Sequence, residues 1–542
     1  MHTIAHILND AAARTPDKTA LVDGEQRISY QELAGTIERL ASSFVALGLE
    51  RRARIAVWLD KSVEAVATMI AAAGAGMIFV PINPKLKAHQ VRHILQDSGA
   101  AVLVTAPARL TALAGILDGM SVRLVLTAPI RQPMLEPLGA YRWDYLAGAS
   151  VKKDPYRSID VDPVAILYTS GSTGSPKGVV VSHRNLLEGA RSVNGYLGTG
   201  PADVILSLLP LSFDAGLSQI TTGIAAGATI VLHNYLRAAE AVDACALEGV
   251  TSITAVPPLW NQLSQAAWPG AARESVRLFA TTGGHMPAPV LGRLRELFPH
   301  AKPFLMYGLT EAFRSTYLDP SEVDRRPGSI GKAIPNAEIL VLREDGEPCR
   351  PGEVGELVHR GAQVSLGYWN DPARTAQRFR PLPHRTQGLL PEYGVWSGDF
   401  VKTDEEGFLY FVERRDEMIK SSGYRISPTE VENVLYEAPG VREAAVLGVR
   451  TEDGDQEVVA LVVPAAVLFS REMIRNHCRA ILPSYMVPRI VQVDELPRNA
   501  NGKIDRPGLP MLYQLTLAEQ LPSGAIPQEA ATQTLAASAA LS

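Results

Sequence analysis

Short apolar runs recur through the first four hundred residues of the chain. RIAVWLD (54–60), AAVLVTA (100–106), VAILYTS (164–170), VILSLLP (204–210), ATIVLHN (228–234), TSITAVPP (251–258) and VRLFATTGG (276–284) are rich in Val, Ile and Thr. Several end in Gly, Pro or Ser/Thr, so they read as buried strands closed by turns. Helical patterns lie between many of them. That alternation predicts an α/β domain of mostly parallel, helix-covered sheets, with ligands at the strand ends. The most apolar stretch, VATMIAAAGAGMIFVPIN (66–83), is rich in Ala and Gly and contains Pro81. It reads as a buried helix followed by a strand, not a membrane span.

The pattern changes near Ala337. AEILVLREDGEPCRPGEVGELVHRG (337–361) holds Asp-Gly and Pro-Gly turns between short strands, which predicts a small β-barrel subdomain. It changes again at ERRDEMIKSSGYRISPTEVENVL (413–435). There Ser427–Glu430 has the form of a capping box, with Pro428 at the first helical position. The strands AAVLGV (444–449) and EVVALVVP (457–464) follow, then a helix around Ile474, which together predict a compact α+β domain. After Arg506 the chain contains no Lys or Arg and turns to Ala, Ser, Thr and Gln. The expected division is 1–414, 415–510 as a mobile lid, and 511–542 as a flexible tail.

Length and charge narrow the function. With 542 residues the chain is too long for one ordinary core. A net charge of −5 with no long basic run argues against nucleic acid as a partner. The three cysteines, Cys245, Cys349 and Cys478, form no Cys-x-x-Cys pair, so a disulfide framework or zinc site is not expected and a reducing compartment is. The N-terminus lacks a basic segment followed by a long apolar core. A cytoplasmic protein without membrane attachment is the expectation.

The chemistry concentrates in YTSGSTGSPKGV (168–179), between a strand and a second apolar run. Glycine lets the backbone approach a ligand closely. The N–H groups and the hydroxyls of Thr169, Ser170, Ser172 and Thr173 can donate to phosphate oxygens, and Lys177 supplies positive charge. The ordinary nucleoside-triphosphatase loop is excluded: counting six from Gly171 gives Pro176, and Gly178 follows the lysine. Downstream, Ser182 is placed to cap a helix through Leu186, Leu187, Ala190 and Val193.

The complete string resembles the phosphate loop of adenylate-forming enzymes: acyl- and aryl-CoA synthetases, peptide-synthetase adenylation domains and luciferases. The resemblance runs in order from about residue 5 to 510. LPLSFDAGLSQ (209–219), MYGLTEAFRSTYL (306–318) and LPRNANGKIDR (496–506) are most similar to AMP-forming acyl-CoA ligase-like proteins associated with exosortase A gene clusters. The resemblance implies two steps. A carboxylate attacks the α-phosphate of ATP to give acyl-AMP and pyrophosphate, and a thiol then displaces AMP. Two anions meet in the first step, so positive charge and Mg²⁺ are expected to carry much of the catalysis.

The same resemblance assigns residues. The loop Thr169, Ser170, Gly171, Ser172, Thr173, Gly174 and Lys177 is expected to bind ATP, together with Gly283, Gly284 and Gly308. Tyr307 stacks on adenine, Thr310 lies near the α-phosphate, and Glu311 holds Mg²⁺, a hard cation that prefers oxygen. In VWSGDF, Asp399 takes the ribose hydroxyls, with Ser397 in place of the usual threonine. Glu413 replaces the usual glycine at the domain junction. Arg414 contacts the nucleotide, Asp416 is the hinge, and Gly423 and Arg425 lie on the thioester face. Lys503 is the adenylation lysine, which rotation of the small domain withdraws after the first step.

The acid pocket implied is Phe213, Asp214, Ser218, Thr282, Met306, Arg314 and Ser315. Many acyl- and aryl-CoA ligases have histidine at the position of Phe213, whereas FDAG resembles amino-acid-activating domains. Asp214 is therefore either the partner of a substrate ammonium or a helix cap. Arg314 has three readings: it binds an acidic substrate tail, neutralises Asp214, or faces the thiol donor. A small amino or polar acid is expected, with coenzyme A or a separate carrier protein as acceptor, since no carrier motif is attached. A stand-alone amino-acid adenylation enzyme is the alternative within the superfamily. A nucleotide-binding sensor needs the loop but not Lys503, and a luciferase shares the motifs and separates from a ligase by light emission.

Overall fold

The computed structural model describes residues 3–113, 116–117, 119–128, 140–169, 176–383, 390–414, 419–421, 424–451, 456–465 and 469–519. The chain divides into two compact units. One comprises Met1–Val412 with Ala500–Lys503, the other Glu413–Asn499 with Ile504–Ser542. The junction lies at Val412–Glu413, two residues before the boundary read from sequence, and the tetrapeptide carrying Lys503 packs with the larger unit.

The larger unit is built on two sheets. The first has the order Ala140–Arg142, Leu124–Thr127, Val102–Thr105, Arg54–Trp58, Ile78–Pro81, Pro163–Thr169, Lys177–Ser182. Its pairs are parallel except the last, where Thr169 lies opposite Lys177. The second contains the parallel run Thr19–Asp23, Thr229–Leu232, Val204–Ser207, Ser252–Ala255, Leu278–Thr281, Lys302–Tyr307. Each of the seven apolar runs cited between residues 54 and 284 contains one of these strands, to within a residue. Both faces are buried, so the strands read as continuous apolar runs rather than as alternation. The stretch 66–83 forms helix Val63–Gly74 and strand Ile78–Pro81. Among the described residues no helix is long and apolar enough to cross a membrane.

The β-rich stretch after Ala337 extends the second sheet. Strands Thr316–Leu318 and Ser329–Ala333 turn its edge antiparallel, and Ser329–Ala333 then pairs with Leu409–Arg414. Tyr393–Thr403, Gly355–Gly361 and Ala337–Leu342 complete the order. Strand Ser329–Ala333 thus joins the parallel sheet to the antiparallel segment.

Ser182 caps helix His183–Leu197 with a full capping box. Its Oγ accepts from Asn185 N (3.2 Å), and Asn185 Oδ1 accepts from Ser182 N (2.8 Å). Ser427 does not repeat this: it begins helix Pro428–Glu437 without a side-chain cap bond, and Pro428 at the first position sets the entry instead.

The smaller unit holds the sheet Val441–Arg450, Gln456–Pro464, Arg489–Gln492. Helices Pro428–Glu437 and Arg471–Ile481 cover one face. Helix Leu509–Glu519 covers the other, burying Leu509 and Tyr513 against Ala445, Leu447 and Val459. The tail expected from residue 511 therefore yields its first residues to this helix, because Leu509 and Tyr513 supply an apolar face. Residues 520–542 lie outside the described residues.

One glycine fixes how the second sheet meets its helix Asp214–Ala226. A Cβ on Gly216 would stand 2.0 Å from Pro210 O and 2.7 Å from Leu209 O. Backbone cannot yield as a side-chain end can. Gly216→Ala is expected to lower stability by about 1–3 kcal/mol, the usual cost of overpacking, measured by urea denaturation. A change under about 0.5 kcal/mol would show that the helix start can back away without cost.

Candidate active site

The parallel strands of the second sheet end along one edge, and the sequence after each carries polar or glycine residues. Phe213 and Asp214 follow Val204–Ser207, Thr282, Gly283 and Gly284 follow Leu278–Thr281, and Tyr307 to Glu311 close Lys302–Tyr307. Lys177 opens the last strand of the first sheet.

Lys177 and Glu311 join across the two sheets. Lys177 Nζ donates to Glu311 Oε1 (2.8 Å) and to Tyr368 Oη (2.8 Å), and the Tyr368 hydroxyl donates to the same Oε1 (2.6 Å). The ammonium also lies 4.5 Å from the Tyr368 ring centroid. Burial alone pushes the Glu311 carboxyl up, but the Lys177 charge and the hydrogen bonds from Lys177 and Tyr368 outweigh it and hold its pKa at about 2. Burial and the Glu311 charge push the Tyr368 phenol up, so it stays protonated and donates. Thr169 pairs with Lys177, and its buried Oγ1 has no hydrogen bond among the described residues. Ser170, Gly171, Ser172, Thr173 and Gly174 lie outside the described residues.

The Tyr307 hydroxyl donates to Asp399 Oδ2. Asp399 N in turn donates to Ser397 Oγ (3.1 Å), and Ser397 donates to Leu357 O (2.7 Å), so the serine supports the aspartate turn. Gly308 lets the chain after Tyr307 fold back, since its missing Cβ would lie 3.3 Å from Arg314 Cα. Thr310 and Glu311 occupy one 3₁₀ turn, Thr310–Ala312.

Lys503 reaches this edge over a glycine. A Cβ on Gly283 (φ +76°) would lie 2.5 Å from Lys503 Cε and 2.9 Å from its Nζ. The ammonium sits 4.6 Å from the Phe213 ring centroid. Asn83 holds the segment, donating from Nδ2 to Ala500 O (2.8 Å).

Beside Lys503 lies a buried ion pair. Arg314 Nη1 donates to Asp214 Oδ2 at 3.2 Å and to Phe313 O at 3.0 Å. Arg314 is 3% exposed and Asp214 4%. Burial pushes the Asp214 carboxyl up, against the pull of Arg314 and Lys503. Asp214 is the first helical residue, not the cap: Phe213 holds the cap position and makes no side-chain cap bond. A cavity of about 20 Å³ is lined by Ser218, Met306 and Arg314 of the expected pocket, with Gln219, Thr222 and Thr254. Thr282 is buried. Ser315 is committed to a bond between its Oγ and His359 Nδ1 (2.9 Å).

Arg414 is exposed at the end of its strand, in the smaller unit. Arg425 lies on the hairpin of Ile419–Ser421 with Tyr424–Ile426, opposite Lys420. Asp416 and Gly423 lie outside the described residues.

Three residues escape a reading of motifs. Tyr368 sits in SLGYWNDP, where only an aromatic pair before the Asp371 helix cap hints at a role. Asn83 follows a strand in a Pro-bounded turn and carries no signal. Phe313 has φ +57°, a conformation that costs a non-glycine residue about 1–3 kcal/mol. Its ring fills the place a Gly189 side chain would take, with Cδ1 2.5 Å from the ideal Cβ. That anchor fixes the turn from Glu311 to Arg314.

The sequence matches AMP-binding enzyme over residues 8–369 and AMP-binding enzyme C-terminal domain over residues 430–503. It is 34% identical over 507 residues to the indoleacetate–CoA ligase of Aromatoleum aromaticum, covering 91% of this chain and 94% of that protein. It is 32% identical to the L-proline–[L-prolyl-carrier protein] ligase of Pseudomonas fluorescens, covering 91% and 96%. Peptide synthases also match, and of these the chain spans only 6% to 45%. Among solved structures, the o-succinylbenzoate coenzyme A synthetase of Bacillus subtilis with ATP and magnesium superposes with TM-score 0.78 at 28% identity, covering 93% and 99%.

The depressed Glu311 pKa makes a stability prediction. A carboxyl at about 2 when folded and at its ordinary 4.5 when unfolded stabilises the fold fully above 4.5. That contribution is lost as pH falls toward 2. The stability advantage of wild type over Glu311→Gln, from urea denaturation, is expected to shrink steadily as pH is lowered from 5 to 3. A constant difference across that range would mean that the carboxylate is not held ionised by its partners.

Proposed function

The chain belongs to the AMP-binding enzymes, AMP-forming ligases that join an acid to coenzyme A or a carrier protein, and we propose that its own acid is a small amino or polar carboxylic acid handled by the residues described above. The observation that carries the reading is the convergence of Lys503, Gly283, Phe213 and Asp214 on the strand ends that bear Tyr307 and Glu311. A nucleotide-binding sensor has no use for a lysine seated there.

ATP and Mg²⁺ are the cofactors. The magnesium fit rests on Glu311: it is held ionised, and the side-chain hydrogen bonds from Lys177 and Tyr368 both go to its Oε1. No group of three or more His, Cys, Asp or Glu suited to a metal occurs among the described residues. One carboxylate with the remaining oxygens from phosphate and water is the usual magnesium arrangement in ATP enzymes. When bound, the ion neutralises phosphate charge.

In the first step a substrate carboxylate oxygen bonds to the α-phosphorus, the bond to the β-phosphate bridging oxygen breaks, and pyrophosphate leaves. Lys503 orients the two anions against their mutual repulsion, which acts strongly in a site shielded from water. Lys177 supplies charge to the phosphates, Tyr307 a face for adenine, and Asp399 acceptors for the ribose. Thr310 contacts the α-phosphate, and Arg414 the nucleotide. In the second step a thiolate attacks the acyl carbon and AMP leaves, with Gly423 and Arg425 on the thioester face and Asp416 as the hinge. Ala500–Lys503 is continuous in sequence with the smaller unit on both sides, so movement of that unit carries the lysine with it. The three free thiols suit a cytoplasmic setting.

Acid-dependent ATP–pyrophosphate exchange tests the reading. Lys503→Ala is expected to lower exchange by about 100-fold or more with little loss of stability. Gly283→Ala is expected to act similarly by displacing the lysine, at a fold cost of about 1–2 kcal/mol for a side chain at positive φ. Full exchange in Lys503→Ala would remove the lysine from the chemistry.

A further inference from the structure

The acid pocket contains a charge pair that is incompletely bonded. Asp214 Oδ1 and Arg314 Nε are both buried without a hydrogen-bond partner among the described residues, although Arg314 Nη1 donates to Asp214 Oδ2. Of the Arg314 nitrogens only Nη1 makes hydrogen bonds among the described residues, so the Nε–Nη2 edge is unused. Buried polar atoms are nearly always bonded, and the exceptions point to a ligand or a water. The arginine cannot easily turn away. Phe313 holds the preceding turn at φ +57° with its ring docked over Gly189, and the Arg314 guanidinium lies 5.7 Å from that ring. The cavity that Arg314 lines also contains Gln219 and Thr222, whose Oε1 and Oγ1 are likewise unpartnered.

Charge balance then decides what can complete the pair. Asp214 is matched by Arg314, and Lys503 adds a second positive charge nearby, needed for the reacting carboxylate. A substrate ammonium would bring a cation to a carboxylate that is already neutralised. A second substrate carboxylate has the right shape for the unused Nε–Nη2 edge, but it would set a second buried anion on a guanidinium whose charge Asp214 already balances. An uncharged group that both donates and accepts can donate to Asp214 Oδ1 and accept from Arg314 Nε, leaving the charge sum unchanged. The cavity of about 20 Å³ lies on the Arg314 side of the pair, bounded by Arg314, Ala215 and Ser218, and has room for roughly one water, so a group that reaches the arginine there is small.

Resting on the adenylation reading above, we infer that the enzyme selects a carboxylic acid bearing a small uncharged donor–acceptor group, a hydroxyl or a carboxamide, and that the Arg314–Asp214 pair discriminates against an ammonium at that position. Arg314 thereby determines specificity, occupying the carboxylate that an amino acid would otherwise use.

The test is ATP–pyrophosphate exchange with matched sets of acids. Each set keeps one carbon skeleton and varies a single substituent among hydroxyl, carboxamide, ammonium, carboxylate and hydrogen. Wild type is expected to prefer the hydroxyl or carboxamide member over the ammonium member by about tenfold or more in kcat/KM. Arg314→Met, which frees Asp214, is expected to shift that order toward ammonium. Should that variant fail to fold because Asp214 is left buried alone, Asp214→Asn/Arg314→Met removes both charges and is expected to lose the discrimination. An ammonium-first or carboxylate-first order in wild type, or an order unchanged by both variants, overturns the inference while leaving adenylation intact. Absence of exchange with every set overturns the adenylation reading, and this inference with it.

Discussion

The contact between Lys177 and Glu311 ties the larger unit together. One residue opens the last strand of the first sheet, and the other lies just past the last parallel strand of the second. A buried ion pair gives little net stability when its desolvation is counted, but breaking one partner leaves the other exposed to a large penalty. Register between the two sheets is therefore fixed where the chemistry needs it. Tyr368 completes the arrangement from a third segment, and neighbouring backbone bonds reinforce it: Ser365 N donates to Glu311 O (2.9 Å), and Val180 N to Gly367 O (2.9 Å). Lys177, Glu311 and the segment 365–369 are held as one body.

Glycine has a comparable role at the acid side. At Gly283 the lysine stem occupies the volume of a side chain, and at Gly216 a helix sits directly on a carbonyl. Both contacts are set by backbone, which is stiffer than any side chain. The functional groups thus rest on surfaces that do not repack.

Much of this was legible in the sequence because the parallel strands are buried on both faces and announce themselves as unbroken apolar runs. The motifs were legible because their residues are contiguous: TEAFRS and NGKID carry their meaning locally. What was not legible depends on distance in sequence. Nothing in SLGYWND says that Tyr368 reaches Glu311, and nothing in the turn after Ile82 says that Asn83 holds Ala500. The pairing of Arg314 with Asp214 depends on a fold-back at Gly308 and on a strained Phe313, neither of which has a propensity signature. Helix Leu509–Glu519 runs across the expected boundary at 510/511 because Leu509 and Tyr513 meet the apolar face of the sheet beneath, and the sequence turns to Ala, Ser and Thr only after it.

The bond from Tyr307 to Asp399 bears on turnover. On the proposed assignment Tyr307 faces adenine and Asp399 takes the ribose, yet the Tyr307 hydroxyl already donates to Asp399 Oδ2. A ribose hydroxyl that seeks that oxygen competes with a partner tethered in place, whose effective concentration never falls. Affinity at this edge is then a difference between two sets of bonds, and a departing AMP is replaced at once by a phenol that needs no diffusion. On that assignment the protein itself supplies the group that takes the place of the leaving product.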